Sequence, residues 1–245
     1  METKTRVRIY SLQEKGVSFS YATESKMIVV GGRYDSKNKE GLKYEMELMG
    51  FQYIDTLIVP SWDPFFCKQS ELKDLLGDLL PDYIVYTDTM PINEIETASY
   101  DCVQNYCDGD TFDSNSIKFA EIHKGLFVND QTEPFALYLN FGDIPVAYIN
   151  QCRSEQEKRF IIDFFKNRKI DVLVGGMDFL DEGLSKDVIE VLNPKAVVGR
   201  ISPSSKREKN NKILWVGTED IFISKVNHEI VRLRLGNGLP EMISM

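Results

Sequence analysis

The chain has 245 residues, of which 42% are hydrophobic and 27% are charged, a balance that suits a globular protein with a sizeable buried core. No apolar run approaches the roughly 20 residues that a membrane-spanning helix needs, and the first residues lack a signal-peptide pattern. We therefore expect a cytoplasmic protein with no membrane partner. The net charge of −9 opposes broad non-specific binding to nucleic acid, which depends on many phosphate contacts from Lys and Arg.

Short apolar runs rich in β-branched and aromatic residues predict strands, and apolar residues at a spacing of three and four predict helices. In chain order, the predicted strands are Val7–Ser11, Val17–Ala22, Met27–Val30, Thr56–Val59, Tyr83–Tyr86, Ile117–Ile122, Leu126–Val128, Phe135–Phe141, Ile144–Ile149, Val172–Val174, Ala196–Val198, Ile213–Val216, Ile221–Ser224 and Ile230–Leu235. The predicted helices are Glu40–Met49, Ser70–Leu80, Ser154–Asn167 and Ser185–Leu192.

Local signals support two of these helices and one long loop. Gly50 follows the first helix where a C-terminal cap is expected, and Ser154 with Glu157 has the spacing of a capping box. Tyr100–Ser116 is acidic and irregular, which predicts a long exposed loop. No linker divides the chain, so the order of elements predicts one α/β domain over residues 1–245. Two mixed β-sheets packed face to face, with helices outside, would give a four-layer αββα sandwich.

Residues that commonly bind zinc are scarce. The four cysteines do not form a CxxC motif, and the chain has only two histidines, His123 and His228. Cysteines at such spacings are typical of buried or free thiols in a reducing compartment. A histidine in a strand-like run and another in a loop have ordinary structural explanations.

Several segments resemble proteins of the metallo-β-lactamase superfamily. VRIYSLQEKGVSFSYATESKMIVVGG is similar to the first three strands of that fold, and LKYEMELMGFQYIDTLIVPSWDPFF to the stretch that leads into its first metal motif. NDQTEPFALYLNFGDIPVAYINQCRSEQEKRFIIDFF and IDVLVGGMDFLDEGLSKDVIEVLNPKAVVGRIS resemble the competence DNA-uptake (ComEC-type) subgroup. The resemblance implies an αββα sandwich and, in typical members, a two-metal hydrolase site.

Most metal-binding positions of that family carry unsuitable residues here. The His-x-His-x-Asp-His motif corresponds to residues 61–66, where Ser61 and Asp63 stand near its start and Phe65 and Phe66 replace the Asp-His pair. The bridging aspartate corresponds to Gln151, and a late histidine falls near Met177. Because a phenyl ring cannot coordinate a metal and histidine is a usual ligand, the resemblance predicts no metal or cofactor and no catalytic residues.

Two interpretations of this region stay open. Asp63, Asp178 and Asp181 could form a carboxylate site for Mg²⁺ or Mn²⁺, which are ions that prefer oxygen ligands. Alternatively, Trp62, Phe65 and Phe66 could either plug the former active site or form a binding surface.

The favoured function is therefore a non-catalytic binding or scaffold protein whose partner is an unknown protein or small ligand. The alternative is a metal-dependent phosphodiesterase or nuclease with a rebuilt carboxylate site. A homo-oligomer is a further hypothesis, and nucleic acid is suggested by family analogy only.

Overall fold

The structure is a computed structural model, and it describes residues 5–13, 16–62, 64–86, 103–105, 111–114, 117–124, 135–140, 142–152, 154–176, 183–200, 213–216, 220–226, 229–236 and 239–244. The strands are β1 Arg6–Ile9, β2 Phe19–Ala22, β3 Met27–Val30, β4 Thr56–Val59, β5 Tyr83–Tyr86, β6 Val103–Asn105, β7 Thr111–Ser114, β8 Ile117–Lys124, β9 Phe135–Leu139, β10 Val146–Ile149, β11 Val172–Gly175, β12 Ala196–Arg200, β13 Ile213–Val216, β14 Ile221–Val226, β15 Glu229–Gly236 and β16 Leu239–Ser244. The helices are α1 Ser36–Met49, α2 Gln69–Leu79, α3 Glu155–Phe165 and α4 Gly183–Leu192.

The central strands are buried on both faces, and this double burial produces the layers. Alternate residues of the strands, such as Phe19 and Tyr148, pack in the core between the two sheets. The other residues of the same strands pack against helices: Leu57 belongs to the cluster that contains α1 and α2, and Leu173 belongs to the cluster that contains α3 and α4. The described residues therefore form the predicted αββα sandwich, and the predicted fold class is confirmed.

The strand order places parallel strands in the half of each sheet that helices cover. The described strands form a nine-stranded sheet in the order β16-β15-β14-β1-β2-β3-β4-β5-β6 and a seven-stranded sheet in the order β13-β12-β11-β10-β9-β8-β7. Strands β3 to β6 pair in parallel, as do β10 to β13. Parallel neighbours require crossover connections, and α1 and α2 supply those from β3 to β5, as α3 and α4 supply those from β10 to β12.

The helix caps follow the local sequence. Ser154 accepts a hydrogen bond from the Glu157 amide at 3.2 Å, and the Glu157 carboxylate accepts one from the Ser154 amide at 3.1 Å. Gly50 ends α1 with φ 77°, a left-handed conformation that glycine adopts without steric cost. Both predicted caps are confirmed.

Two expectations about secondary structure were wrong. The predicted loop Tyr100–Ser116 contains β6 and β7, because these short polar segments gain their strand conformation by pairing with β5 and β8. Helix α1 begins at Ser36 rather than Glu40, because the Asp35 side chain accepts hydrogen bonds from the Lys37 and Asn38 amides.

Strand β16 was not predicted. It contains Pro240, which weakens a strand pattern, yet it pairs along β15 from Val231↔Ser244 to Gly236↔Leu239. The predicted strand Leu126–Val128 lies outside the described residues. Within the described part of the chain, no helix is long and apolar enough to cross a membrane.

Candidate functional site

A narrow cleft opens where the carboxyl ends of strands from both sheets meet at one edge of the sandwich. The end of β1 and the loop between β1 and β2 line it with Ile9, Tyr10, Gly16 and Val17, and the ends of β11, β12 and β13 line it with Val174, Gly175, Val198, Gly199 and Val216. The cleft has a volume of about 10 Å³, room for about one water molecule. Carboxyl edges of parallel strands commonly carry ligand sites, so this edge is the candidate site.

The cleft has apolar walls. Among the lining residues that the structure describes, Tyr10 alone has a titratable side chain. The Tyr10 hydroxyl shares a 2.8 Å hydrogen bond with the Ser20 hydroxyl. Burial raises the pKa of Tyr10 above its ordinary value. The phenol is therefore protonated at neutral pH, and the described lining offers no charged ligand for a metal.

The loop after β4 brings the predicted aromatic residues to this edge. We call residues 61, 62 and 64–67 the mouth loop. Phe66 is only 5% exposed and packs in the inter-sheet core, whereas the neighbouring Phe65 is 44% exposed. Trp62 is half-buried and packs against the cluster that contains α1 and α2. The three aromatic residues therefore have three different environments, which the sequence did not distinguish.

The backbone of the mouth loop is fastened to the end of β3. The Gly32 amide donates to the Phe66 carbonyl at 2.7 Å, and Gly32 and Cys67 form a parallel β-bridge. Gly31 adopts φ 94°, and its amide donates to the Ile58 carbonyl at 2.8 Å. A side chain at Gly32 would meet Cys67 Sγ at 2.5 Å. The loop therefore requires glycine at these close approaches.

The two cysteines near the edge are buried and not disulfide-bonded. Burial raises the pKa of the Cys67 thiol to about 12, the nearby Glu71 carboxylate adds to the rise, and Arg33 opposes it. Because a thiolate rather than a thiol is the nucleophile, Cys67 is unsuited to nucleophilic catalysis at neutral pH. Cys152 is fully buried with α3 and α4 in the helix-side cluster of the second sheet.

Gln151, which the resemblance places at the position of the bridging aspartate, is 4% exposed and lies two residues after β10. The preceding Asn150 is 1% exposed. A side chain at Gly176 would overlap the backbone of Asn150, and the Gly176 amide donates to the Ile149 carbonyl at 2.7 Å. The ends of β10 and β11 are therefore packed backbone against backbone at this side of the site.

A buried ion pair beside the mouth loop was not predicted from the sequence. Arg33, which is 1% exposed, follows Gly32 and forms two hydrogen bonds with Glu71 of α2. The available signal was a charged residue, Arg33, that follows the end of an apolar strand by three positions. Its partner, Glu71, is 38 positions away.

Among the described residues, no group of three or more His, Cys, Asp or Glu side chains could hold a metal ion. Asp63, Met177, Asp178 and Asp181 lie outside the described residues. The carboxylate site for Mg²⁺ or Mn²⁺ therefore stays a prediction.

No protein-family model matches the sequence, and no curated protein matches it. The structure is similar to the metallo-β-lactamase fold protein YhfI from Bacillus subtilis, with a TM-score of 0.62, 11% identity, and coverage of 90% of this chain and 99% of that one. It is also similar to a variant of the CmlA beta-hydroxylase, with a TM-score of 0.53 and 9% identity over 81% of this chain. That match spans about half, 46%, of the CmlA chain. At such identities the likeness concerns the fold alone, and the fold of this chain is the metallo-β-lactamase fold.

Proposed function

We propose that this chain is a catalytically degenerate metallo-β-lactamase-fold protein that acts as a non-catalytic binding or scaffold protein. Its contact surface is the Phe65 side of the mouth loop, next to the cleft. The partner is a protein or a small ligand. This function assigns no catalytic role to Ser61, Asp63, Phe65, Phe66, Gln151 or Met177, which occupy the former metal-motif positions.

The observation that carries this proposal is the opposite placement of two adjacent phenylalanines. Phe66 corresponds to a metal-ligand position and is a member of the inter-sheet core. A buried phenyl ring contributes on the order of 2–3 kcal/mol of hydrophobic stabilisation, so this position contributes to packing. Phe65 keeps 44% of its surface exposed, and exposed aromatic side chains are frequent anchors at binding surfaces.

The character of the cleft also supports a binding role. Its described lining consists of aliphatic residues, glycines and Tyr10, whose ring packs in the cluster that contains α1 and α2. The whole chain supplies only two histidines, fewer than the imidazoles of a standard two-metal site. Because the cleft has a volume of only about 10 Å³, the proposed contact with the partner is made at the surface beside it and not inside it.

The first experiment is metal content by mass spectrometry on protein purified without chelator, repeated after loading with Zn²⁺, Mn²⁺ or Mg²⁺ and desalting. The proposal expects fewer than about one metal ion in ten chains under each condition. One or two ions per chain would contradict it. In that case hydrolysis of bis-p-nitrophenyl phosphate by the wild type and by Asp63→Ala would test the alternative phosphodiesterase, since Asp63→Ala should abolish a carboxylate-based activity.

The two phenylalanines provide a matched pair for testing packing against contact. Phe66→Ala should lower the free energy of unfolding by about 3–5 kcal/mol, because it leaves a cavity between the sheets. Phe65→Ala should change it by less than about 0.5 kcal/mol, because that side chain is half exposed. Urea unfolding measures both changes, and equal losses would contradict the separate roles.

Finer aspects of the function stay proposals. The ComEC-type resemblance rests on sequence segments and suggests a nucleic-acid context by analogy only. A homo-oligomer and a cytoplasmic location also stay predictions. Sedimentation velocity over a range of protein concentrations tests self-association. The wild type is compared with Phe65→Ala. Tyr53→Ala is the control variant, because Tyr53 is also exposed, at 51%, and lies in the turn after α1.

A further inference from the structure

The buried ion pair beside the mouth loop joins two segments that the sequence keeps apart. Arg33 Nε lies 2.8 Å from Glu71 Oε2, and Arg33 Nη2 lies 3.1 Å from Glu71 Oε1. Glu71 stands in the first turn of α2, which begins at Gln69, just after the mouth loop. A two-point arginine–carboxylate pair fixes the orientation as well as the distance of its partners. The pair therefore ties the end of β3 to the start of α2.

Backbone contacts run beside this pair on the same two segments. The Tyr34 amide donates to Glu71 Oε2 at 2.8 Å, and the Gly32 amide donates to the Phe66 carbonyl at 2.7 Å. The loop from Phe66 to Glu71 is thus held at both ends by residues 32–34. Removing the charge of Arg33 or of Glu71 would leave the other side chain buried without its main partner.

The loop between β1 and β2 packs against the pair from the other side. A side chain at Gly16 would lie 2.8 Å from Arg33 Nη1 and would overlap the carbonyl oxygen of Phe65. The Arg33 guanidinium and the Phe65 backbone are therefore both in contact with Gly16. Any displacement of Arg33 changes the packing directly beneath the exposed phenylalanine.

We propose that Arg33 and Glu71 form a positioning clamp that sets the conformation of the mouth loop, keeping Phe66 in the core and Phe65 at the surface without a metal ion. The clamp is defined by contacts within the chain and does not depend on the identity of the binding partner. Arg33 and Glu71 are positioning residues, since they act through the loop.

The test is hydrogen–deuterium exchange of peptides that cover residues 64–72 in the wild type and in Arg33→Met. The clamp predicts that exchange in these peptides becomes faster by on the order of 100-fold, because a buried charge pair is broken. Arg6→Met is the matched control. Arg6 makes a similar two-point contact with Glu45, at 2.6 and 3.2 Å, but lies at the amino end of β1. Arg6→Met should leave exchange of residues 64–72 within about 3-fold of the wild type.

Two further readouts separate positioning from overall stability. In a Trp215→Phe background Trp62 is the sole tryptophan, so its emission reports on the mouth loop. Arg33→Met should shift that emission, and Arg33→Lys should restore it in part, because lysine keeps the charge but loses the second hydrogen bond. Chelation with EDTA should leave both exchange and emission of the wild type unchanged.

The double variant Arg33→Met/Glu71→Leu covers the case in which Arg33→Met fails to fold. Replacing a buried pair by apolar side chains often preserves stability, yet the clamp predicts rapid exchange of residues 64–72 in this variant as well. Unchanged loop exchange in the folded double variant would overturn the proposal. So would an equal effect of Arg6→Met, or a change in the wild-type loop on adding EDTA.

Discussion

The two outer helix layers cover similar sheets but are attached in different ways. In the layer of α1 and α2, Glu45 of α1 has a fully buried side chain that pairs with Arg6 at 2.6 Å and with Arg8 at 3.3 Å. Arg8 also pairs with Asp220 at 2.7 Å and lies 4.5 Å from the ring centre of Phe222. Charged groups are therefore part of the packing between this layer and its sheet.

The layer of α3 and α4 is attached by apolar side chains. Ile161 and Phe165 of α3 pack with Val188 of α4 and with the outer face of the second sheet. The described ion pairs of these helices lie near the surface, as in Lys158–Asp187 at 2.8 Å, where the Asp187 side chain is 58% exposed. Both layers thus have an apolar helix face against the sheet, and the first layer adds buried charge pairs to it.

The difference matters because the first layer adjoins the mouth loop. Buried ion pairs specify orientation more strictly than apolar contacts do, although they add little net stability. Gly41 in α1 is part of this arrangement, since a side chain there would lie 2.8 Å from Arg8 Nη2. We infer that buried charge pairs fix the orientation of the first layer, whereas apolar packing holds the second.

The largest expected effect comes from Glu45→Gln in the first layer. It leaves two arginines without their shared buried carboxylate, and the free energy of unfolding should fall by about 3–5 kcal/mol. Urea unfolding measures the change. Glu47→Gln, an exposed position on the same helix, should stay within about 0.5 kcal/mol of the wild type. A loss below about 1 kcal/mol at Glu45 would show that charge does not hold this layer.

The next effect concerns the apolar attachment of the second layer. Ile161→Ala should lower the free energy of unfolding by about 3 kcal/mol, because Ile161 is 2% exposed and its truncation leaves a cavity. Asp163→Ala is the control, since its side chain is 71% exposed. If Asp163→Ala lowered the free energy of unfolding as much as Ile161→Ala, apolar packing would not be what mainly holds this helix layer on its sheet.

A smaller effect is expected at the start of α3. Ser154→Ala removes the hydroxyl that accepts from the Glu157 amide, and it should cost about 1 kcal/mol. Ser154→Asp, which retains an acceptor, should recover most of the loss. Thermal unfolding of the wild type and both variants measures these changes. If Ser154→Asp were as unstable as Ser154→Ala, the loss would not come from the cap.

The smallest effect is a pH dependence confined to the first layer. Asp78 of α2 pairs with Lys39 at 2.7 Å and Lys43 at 3.0 Å on α1. The Lys39 hydrogen bond, followed by that of Lys43, lowers the pKa of Asp78 from 3.8 to about 2. Because the folded-state pKa is the lower one, the contribution is present above about pH 4 and is lost as the pH falls through about 2.

The check is the difference in urea stability between the wild type and Asp78→Asn from pH 5 to pH 2. The difference should shrink on acidification. It should also shrink in 1 M NaCl, because these partly exposed pairs are screened by salt. A difference that stays constant over this pH range would show that the Asp78 carboxylate does not stabilise the contact between α1 and α2.

The sequence predicted best where local patterns and burial agree. Met27–Val30, Thr56–Val59 and Tyr83–Tyr86 were predicted with the bounds that the structure has, because short β-branched runs bounded by polar residues have few alternatives. The start of α1 was missed because five of its first six residues are polar and its N-cap, Asp35, acts through backbone amides. Strands β6 and β7 were missed because their conformation depends on pairing with distant segments.

At the positions that the resemblance assigns to the metal motifs, the sequence alone shows phenylalanines at 65 and 66 and a glutamine at 151, and the chain has only two histidines. The sequence also determined the capping box of α3, which is a local interaction. The three-dimensional fold sets the burial of Phe66 and the exposure of Phe65, since successive residues on a loop do not alternate regularly between buried and exposed. It also decided that Arg33 meets Glu71 and that Arg8 meets Asp220, 212 positions away. Such pairs arise when packed layers bring distant segments together, and no local pattern in the chain records them.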